Sequence, residues 1–297
     1  MMGETRIGSL RSSLPEVRQT LRKERDGMKL KRINTIYFSP TGGTAEIVRF
    51  IARELTELLD LEEREIDLTR PENRKMQLQL GCDELLIMAS PVYAGRLPNK
   101  LLPDYHALLH GEGTPAVAVC TFGNRSCDEA LRELVMLLEG NNFHVAGAAA
   151  FACRHAFSER IGTGRPDGED MAQMRQFAAH VADKLKSASI PPLQMNRGEI
   201  GSYYVPLRTD GAPAKFLKAK PKTNWEKCNH CGICARVCPL GSIDRESMEA
   251  VGLCIKCQAC VHRCPEGAKY FDDPDFLSHV AMLEKNYIRR ADNVILL

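Results

Sequence analysis

The chain contains two cysteine-rich stretches of equal length, CNHCGICARVCP at residues 228–239 and CIKCQACVHRCP at residues 254–265. Both have the spacing C-x2-C-x2-C-x3-C-P, in which three thiolates converge on one inorganic cluster and the fourth ligates the other cluster. We therefore predict two [4Fe–4S] clusters. The predicted ligands are Cys228, Cys231, Cys234 and Cys264 for the first cluster, and Cys254, Cys257, Cys260 and Cys238 for the second.

Other uses of these cysteines fit the spacing less well. Paired C-x2-C motifs also occur in zinc ribbons, but one zinc ion needs four thiolates and not eight in two identical runs. Disulfides are disfavoured because the chain is large and its start has no apolar segment typical of a secretory signal. Residues 222–272 resemble the bacterial two-cluster ferredoxins, which implies a small α+β domain.

Composition excludes several classes of function. The 297 residues suggest two domains, and the contents of 44% hydrophobic and 26% charged residues are ordinary for a globular protein. No apolar run approaches the roughly 18 residues that a membrane span needs. A net charge of +2 offers no basic surface that would indicate nucleic-acid binding. Twelve cysteines fit a reducing cytoplasm and are compatible with an anaerobic organism.

A second motif lies near the start of the chain. The sequence RINTIYF at 32–38 predicts a buried strand, and AEIVRFIARELTELL at 45–59 has the apolar spacing of a helix. The loop between them, SPTGGT, places free N–H groups and hydroxyls at a helix N-terminus, which favours a phosphate. It lacks the lysine of a P-loop and the GxGxxG of a dinucleotide site. The alternative is a tight turn with capping residues. The candidate phosphate-binding residues are Ser39, Thr41, Gly42, Gly43 and Thr44.

Further strands and helices alternate after this unit. We predict strands at 64–68, 83–90, 115–122 and 143–153, and helices near 98–110, 127–139 and 171–186, with a capping box at Ser126 and Glu129. This alternation predicts an α/β doubly wound, five-stranded parallel sheet. Ligands of such sheets bind at the carboxyl ends of the strands, where the loops after strands one, three and four meet.

These loops resemble the flavin mononucleotide (FMN) site of flavodoxins over residues 32–187. SPTGGTA matches the phosphate loop, although many flavodoxins have Asn where this chain has Gly43. The resemblance implies that Tyr93 lies against the flavin ring, although a partly buried loop aromatic is the alternative, and that Asn124 contacts the ring edge. His155 and Phe157 are further candidates beside the ring. The implied ring contacts are Pro91, Val92, Tyr93, Ala94, Gly95, Phe122, Gly123 and Asn124.

The order of the two units is similar to that of anaerobe electron-transfer proteins that fuse a flavodoxin-like domain to a two-cluster ferredoxin. HAFS at 155–158 and GRPDGED at 164–170 support this resemblance. It implies an electron carrier that relays electrons between FMN, two clusters and redox partner proteins. The alternative is a flavin-dependent reductase that acts on NAD(P)H or a small organic substrate. The predicted divisions are a flexible arm at 1–27, the FMN domain at 28–187, a linker at 188–221, the ferredoxin at 222–272 and a C-terminal helix and tail at 273–297.

A few features leave alternatives open. Met28, directly before the first strand, is an alternative start of translation. The linker has enough apolar residues to dock on the surface, and the final NVILL can add an edge strand or dock on the ferredoxin. Cys127 lies in the first turn of a predicted helix, which would lower the pKa of its thiol. A packed thiol is the alternative for Cys127, and Cys82, Cys120 and Cys153 are expected to pack.

Overall fold

The structure is a computed structural model that describes residues 30–187 and 189–297. The predicted arm at 1–27 and the alternative start at Met28 lie outside the described residues. In chain order the strands are β1 (Arg32–Tyr37), β2 (Glu62–Asp67), β3 (Leu78–Leu80), β4 (Glu84–Pro91), β5 (Leu109–Gly111), β6 (Thr114–Phe122), β7 (Phe143–Ala152), β8 (Lys222–Thr223), β9 (Lys269–Tyr270) and β10 (Val294–Leu296). The helices are α1 (Gly43–Leu59), α2 (Leu102–Leu108), α3 (Ala130–Gly140), α4 (Gly168–Lys186), α5 (Ile233–Arg236), α6 (Ala259–His262) and α7 (Pro274–Asn286), with a 3₁₀ helix at Pro71–Arg74.

The main sheet has the strand order β10-β7-β6-β4-β1-β2. Five neighbouring strands are parallel, namely β7, β6, β4, β1 and β2. Strand β10 pairs with the edge strand β7 in the antiparallel direction. When these five parallel strands are numbered among themselves in chain order, the sheet has the order 2-1-3-4-5 of flavodoxin-like sheets. The predicted fold class is therefore confirmed. The sheet has one strand more than predicted because the C-terminal NVILL forms an edge strand.

Helices cover both faces of the sheet, since alternate residues of a buried strand point to opposite sides. On one side α1 and α4 bury a core that includes Ile33, Ile51 and Phe177. On the other side α2 and α3 bury a core that includes Met88 and Leu134. Helix α3 begins at Ala130, with Glu129 at its N-cap and no side-chain capping bond, so the predicted capping box is wrong. The Ser126 hydroxyl instead accepts a hydrogen bond from the Asp128 N–H at 3.0 Å.

The cysteine-rich segment repeats its backbone conformation as well as its sequence. Helices α5 and α6 are each four residues long and occupy corresponding positions in the two halves. The left-handed residues also correspond: His230 (φ 59°) to Lys256 (φ 56°), and Gly232 (φ 68°) to Gln258 (φ 65°). Strands β8 and β9 pair across the segment in the antiparallel direction. The internal repeat read from the cysteine spacing is therefore a structural repeat.

The linker between the two units lies on the flavodoxin-like surface. The Tyr204 N–H donates to the Ala94 carbonyl at 2.8 Å, and the Tyr203 hydroxyl donates to the Leu97 carbonyl at 2.8 Å. Arg132 donates to the Gly198 carbonyl at 3.1 Å. These contacts support docking of this segment, as its apolar residues predicted. Within the described part of the chain, none of the helices combines the length and apolar character that crossing a bilayer requires.

Candidate functional site

The eight cysteines of the repeat surround two separate cavities. One cavity is lined by Cys228, Cys231, Cys234 and Cys264, and the other by Cys238, Cys254, Cys257 and Cys260. Each group contains three cysteines from one stretch and the fourth from the other stretch, which is the exchange that the spacing predicts. Among the described residues, no three His, Cys, Asp or Glu side chains converge closely enough to hold a single metal ion.

Backbone N–H groups point at the exchanged cysteines in the same way in both halves. The Ser242 N–H lies 3.2 Å from the Cys238 sulfur, and the Ala268 N–H lies 3.2 Å from the Cys264 sulfur. Hydrogen bonds to ligand sulfurs stabilise their negative charge and tune the potential of a cluster. The donors therefore suit thiolates that ligate a cluster.

Two buried lysines lie close to the cysteine groups: Lys269 lines the first cavity, and Lys256 lies between Cys254 and Cys257 in the sequence of the second group. Lys269 is 3% exposed and donates to the Thr223 hydroxyl and the Met248 carbonyl. Lys256 is 9% exposed and donates to the carbonyls of Leu217 and Cys254. All four acceptors are uncharged, whereas a buried ammonium group normally needs a negative partner. A cluster with four thiolate ligands is anionic, so the buried cations fit such groups in both cavities.

The loop at 39–44 has the conformation that an anion site requires. Gly42 is the N-cap of α1 with a φ of 100°, where a side chain would be strained. The Ser39 hydroxyl accepts from the Ala45 N–H at 2.9 Å, whereas the first-turn N–H groups of Gly43 and Thr44 have no intrahelical acceptor. The Thr44 and Thr121 hydroxyls lie 2.7 Å apart. Within the residues that the structure describes, these two N–H groups have no hydrogen-bond acceptor, so the loop presents them at a helix N-terminus.

A cavity of about 250 Å³ opens beside this loop, at the carboxyl ends of β1, β4 and β6. Its volume is just below the range of roughly 300–1,000 Å³ that is usual for small-molecule sites. It contains most of the predicted FMN contacts, although Ser39, Gly42 and Asn124 are not part of its wall. The predicted residues that line it are Thr41, Gly43, Thr44, Pro91, Val92, Tyr93, Ala94, Gly95, Phe122 and Gly123.

The Tyr93 loop is held by a tight turn. Tyr93 and Arg96 exchange backbone hydrogen bonds, at 2.8 Å and 3.1 Å, and the two residues between them have positive φ values. Gly95 (φ 76°) also packs against Asp128 so closely that a Cβ would collide with its carboxylate. This turn places the Tyr93 ring in the cavity wall. Burial raises the pKa of Tyr93 well above its usual value, so the phenol is neutral.

Asn124 has a role that the sequence does not indicate. Its side chain is buried and donates to the carbonyls of Tyr287 and Arg289, at 2.7 Å and 2.9 Å. Its carbonyl oxygen accepts from Arg165 and from the Ala291 N–H, both at 3.1 Å. The predicted contact of this side chain with a flavin ring is therefore not expected, because its donors and acceptor already hold the C-terminal segment.

His155 completes the β6 side of the cavity. Its ring packs directly on Gly123, and its Nδ1 accepts from the Phe157 N–H at 3.0 Å. Burial, with help from His279 and Arg125, lowers the pKa of His155 to about 4. The imidazole is therefore neutral near pH 7, with Nδ1 as its acceptor. Both His155 and Phe157 line the cavity, as the prediction that they lie beside the flavin ring requires.

The remaining wall comes from outside the flavodoxin-like unit. Tyr204 and Phe216 of the linker and His279 of α7 line one part of the cavity. The Arg125 guanidinium lies 4.1 Å from the centre of the Tyr204 ring, a cation–π distance. These contacts close the site with segments that lie far beyond its β6 loop in the sequence.

The ferredoxin-like segment itself forms another part of the wall, through Ile255, Lys256 and Cys257. Two hydrogen bonds hold it there. His262 of α6 pairs with the Ala156 carbonyl at 2.8 Å, and Arg74 donates to the Pro239 carbonyl at 2.7 Å. The second cysteine group is therefore next to the cavity, with Cys257 shared between the cavity and the group.

The other cysteines have packing roles, with one exception. Cys127 is buried before α3, and burial raises the pKa of its thiol, so the packed-thiol alternative holds. Cys120 and Cys153 are buried, and burial raises the pKa of both thiols. Cys82 is exposed, contrary to the expectation that it packs, because it lies in the turn before β4.

Comparison with known proteins identifies one part of the chain directly. Residues 221–244 match the family model of the 4Fe-4S binding domain, so the chain carries such a domain. The match contains the first cysteine stretch but not the second. No curated protein sequence matches the chain.

Several solved structures are similar to the flavodoxin-like part. A flavodoxin from the domain Archaea matches with a TM-score of 0.37 and 13% identity, over 52% of this chain and 99% of its own. Flavodoxin 2 from Bacillus cereus matches with a TM-score of 0.37 and 17% identity, over 52% and 99%. Rubredoxin oxygen:oxidoreductase from Desulfovibrio gigas matches with a TM-score of 0.40 and 14% identity, over 57% and 39%. The fold assignment rests on the strand order and not on these scores.

Proposed function

We propose that the chain is an electron-transfer protein that binds one FMN and two [4Fe–4S] clusters and relays electrons between them and redox partner proteins. FMN supplies an exchange of one or two electrons, and the clusters exchange single electrons. The observation that carries the proposal is the shared wall of the cavity. The phosphate loop and Tyr93 form one side, and Cys257 of the second cysteine group belongs to another.

The proposed FMN site follows from the cavity. Gly43, Thr44 and the hydroxyl of Thr41 would hold the phosphate at the N-terminus of α1. Tyr93 and His155 would lie along the ring, both as neutral groups at pH 7. The chain therefore provides two neutral aromatic groups at the proposed ring site, in a wall that also contains the basic side chains of Arg125, Arg154 and Lys256.

The proposed cluster ligands are the two cysteine groups that line the separate cavities. The second group is next to the proposed flavin site. The first contains Cys231, which is exposed, and lies near Trp225, which is 49% exposed and stacked on His230. An exposed aromatic pair beside a cluster suits contact with another protein. The first group is therefore the proposed exchange point with partners.

The reductase alternative requires a second substrate at the flavin. Tyr204, Phe216 and His279 already contribute to the cavity wall and are held by packing of the linker and α7. Since the cavity of about 250 Å³ is already below the usual range for one small-molecule site, it leaves little room for a second substrate beside a flavin. We therefore favour electron transfer between bound cofactors and protein partners over turnover of NAD(P)H.

The test begins with anaerobic purification and cofactor analysis. We expect about eight iron, eight sulfide and one FMN per chain. About four iron would reject the second cluster, and zinc in place of iron would reject both. Absence of FMN from protein reconstituted with it would reject the flavin site.

A second measurement separates a relay from a reductase. Rapid mixing with a reductant of the flavin should give cluster reduction at a rate independent of protein concentration, because the transfer is internal. Rates that rise with protein concentration would show exchange between molecules. Steady turnover of NAD(P)H by the purified protein would favour the reductase.

A further inference from the structure

The phosphate loop of the flavodoxin-like unit contains no basic residue, yet a guanidinium lies beside it. Arg263 comes from the ferredoxin-like segment, directly after α6. One terminal nitrogen of its side chain lies 3.6 Å from the position that a Cβ on Gly42 would occupy. This places a positive charge at the N-terminus of α1, where the loop has its unpaired N–H groups.

The surroundings of Arg263 leave this charge available. Glu159, an acidic residue that contacts α6, pairs with Arg154 at 2.6 Å and lies 3.8 Å from His262. Among the described residues, no carboxylate oxygen lies within salt-bridge distance of Arg263. An arginine beside free N–H groups at a helix N-terminus forms a site for a dianionic phosphate, since its fork of donors matches phosphate oxygens.

The position of Arg263 is set by contacts that do not involve its own side chain. Its N–H donates to the Ala259 carbonyl at 3.0 Å, and the preceding His262 pairs with the Ala156 carbonyl at 2.8 Å. The helix is therefore anchored to the flavodoxin-like unit one residue before Arg263. The guanidinium is directed to the loop by the docking of the whole segment.

We infer that Arg263 is a binding residue for the FMN phosphate, supplied by the ferredoxin-like segment. The inference rests on the proposed FMN site. It adds a charged donor to the N–H and hydroxyl groups of the loop. It also makes the flavin phosphate a contact between the two units, so that FMN binding and docking of the ferredoxin-like segment favour each other.

The test compares FMN with riboflavin, which lacks the phosphate. Protein with intact clusters is freed of flavin, and binding is measured by quenching of flavin fluorescence. Arg263→Gln should weaken FMN binding roughly 10- to 100-fold, as for loss of a hydrogen bond to a charged group, and leave riboflavin binding unchanged. Arg263→Lys should restore part of the affinity, because it keeps the charge but not the fork. The salt dependence of FMN binding should also decrease in Arg263→Gln.

Arg245→Gln is the matched control, since Arg245 is, like Arg263, an exposed arginine of the ferredoxin-like segment, whereas Arg263 and not Arg245 has an atom within 4 Å of the Cβ position at Gly42. It should leave both affinities unchanged. Unchanged FMN affinity in Arg263→Gln, or equal losses for FMN and riboflavin, would overturn the inference while the proposed function stands. Failure of the native protein to bind FMN would overturn both. Iron content of each variant shows whether the segment has folded, and the milder Arg263→Lys gives the answer if Arg263→Gln loses its clusters.

Discussion

Replacement of Gly42 by alanine tests the phosphate loop with the smallest possible change. Gly42 has a φ of 100°, and an L-residue in such a conformation costs about 1–2 kcal/mol. The added Cβ would lie 3.6 Å from Arg263, an ordinary contact, so strain and not collision is the main effect. If the loop of the variant relaxes to escape the strain, FMN binding must return it to the strained conformation. The binding free energy then becomes less favourable by the energy of that strain. We therefore expect binding roughly 5- to 30-fold weaker, since about 1.4 kcal/mol corresponds to tenfold.

The assay is fluorescence titration of flavin-free protein, together with iron analysis. Both clusters should remain, because the cysteine groups lie in another part of the chain. Gly113→Ala is the matched control, because Gly113 has a φ of 73° and does not line the cavity. No atom of the described residues lies within 4 Å of the Cβ that the substitution adds. It should show a similar loss of stability with unchanged FMN affinity. Equal FMN affinity in Gly42→Ala and the native protein would refute the assignment of this loop to the phosphate.

Three further predictions concern charge. In the folded protein the pKa of His155 is about 4, against an ordinary value of 6.5. At pH values between these two, the unfolded chain therefore binds more protons than the folded chain. The free energy of unfolding should fall by up to about 3 kcal/mol as the pH decreases from 6.5 to 4. Urea denaturation of His155→Asn should lack this decrease, and an equal slope in both proteins would contradict it. Asp170→Asn should destabilise the protein by about 3–5 kcal/mol, because the buried Arg165 guanidinium loses its carboxylate; a fall in thermal midpoint of less than a few degrees would count against this. Lys256→Met should make the flavin potential more negative in an anaerobic redox titration, since it removes a buried positive charge from the cavity wall, and an unchanged potential would remove Lys256 from this role.

Local spacing alone predicted the features whose parts are close in the chain. The cysteines of each stretch are close in the sequence and are brought together by tight turns. Equivalent positions of the two stretches have the left-handed conformation because both stretches have the same cysteine spacing. The strand, loop and helix at 32–59 are also local, since β1, the Gly42 turn and α1 are consecutive. The parallel order of the sheet follows from the alternation of strands and helices, because right-handed crossovers leave few arrangements.

Contacts between distant segments were decided only by the tertiary structure. The position of Asn124 in its loop predicted a contact with the flavin ring, but its side-chain amide binds backbone groups of residues 287–291. This segment lies beside Asn124 because β10 pairs with β7. The tail sequence itself allowed two docking sites, since a short apolar strand carries no information about its partner. Arg263 lies far from Gly42 in the sequence, and no periodicity or spacing relates them. Their proximity arises from shape and hydrogen bonding where α6 meets the 154–168 loop, a surface that exists only after both units have folded.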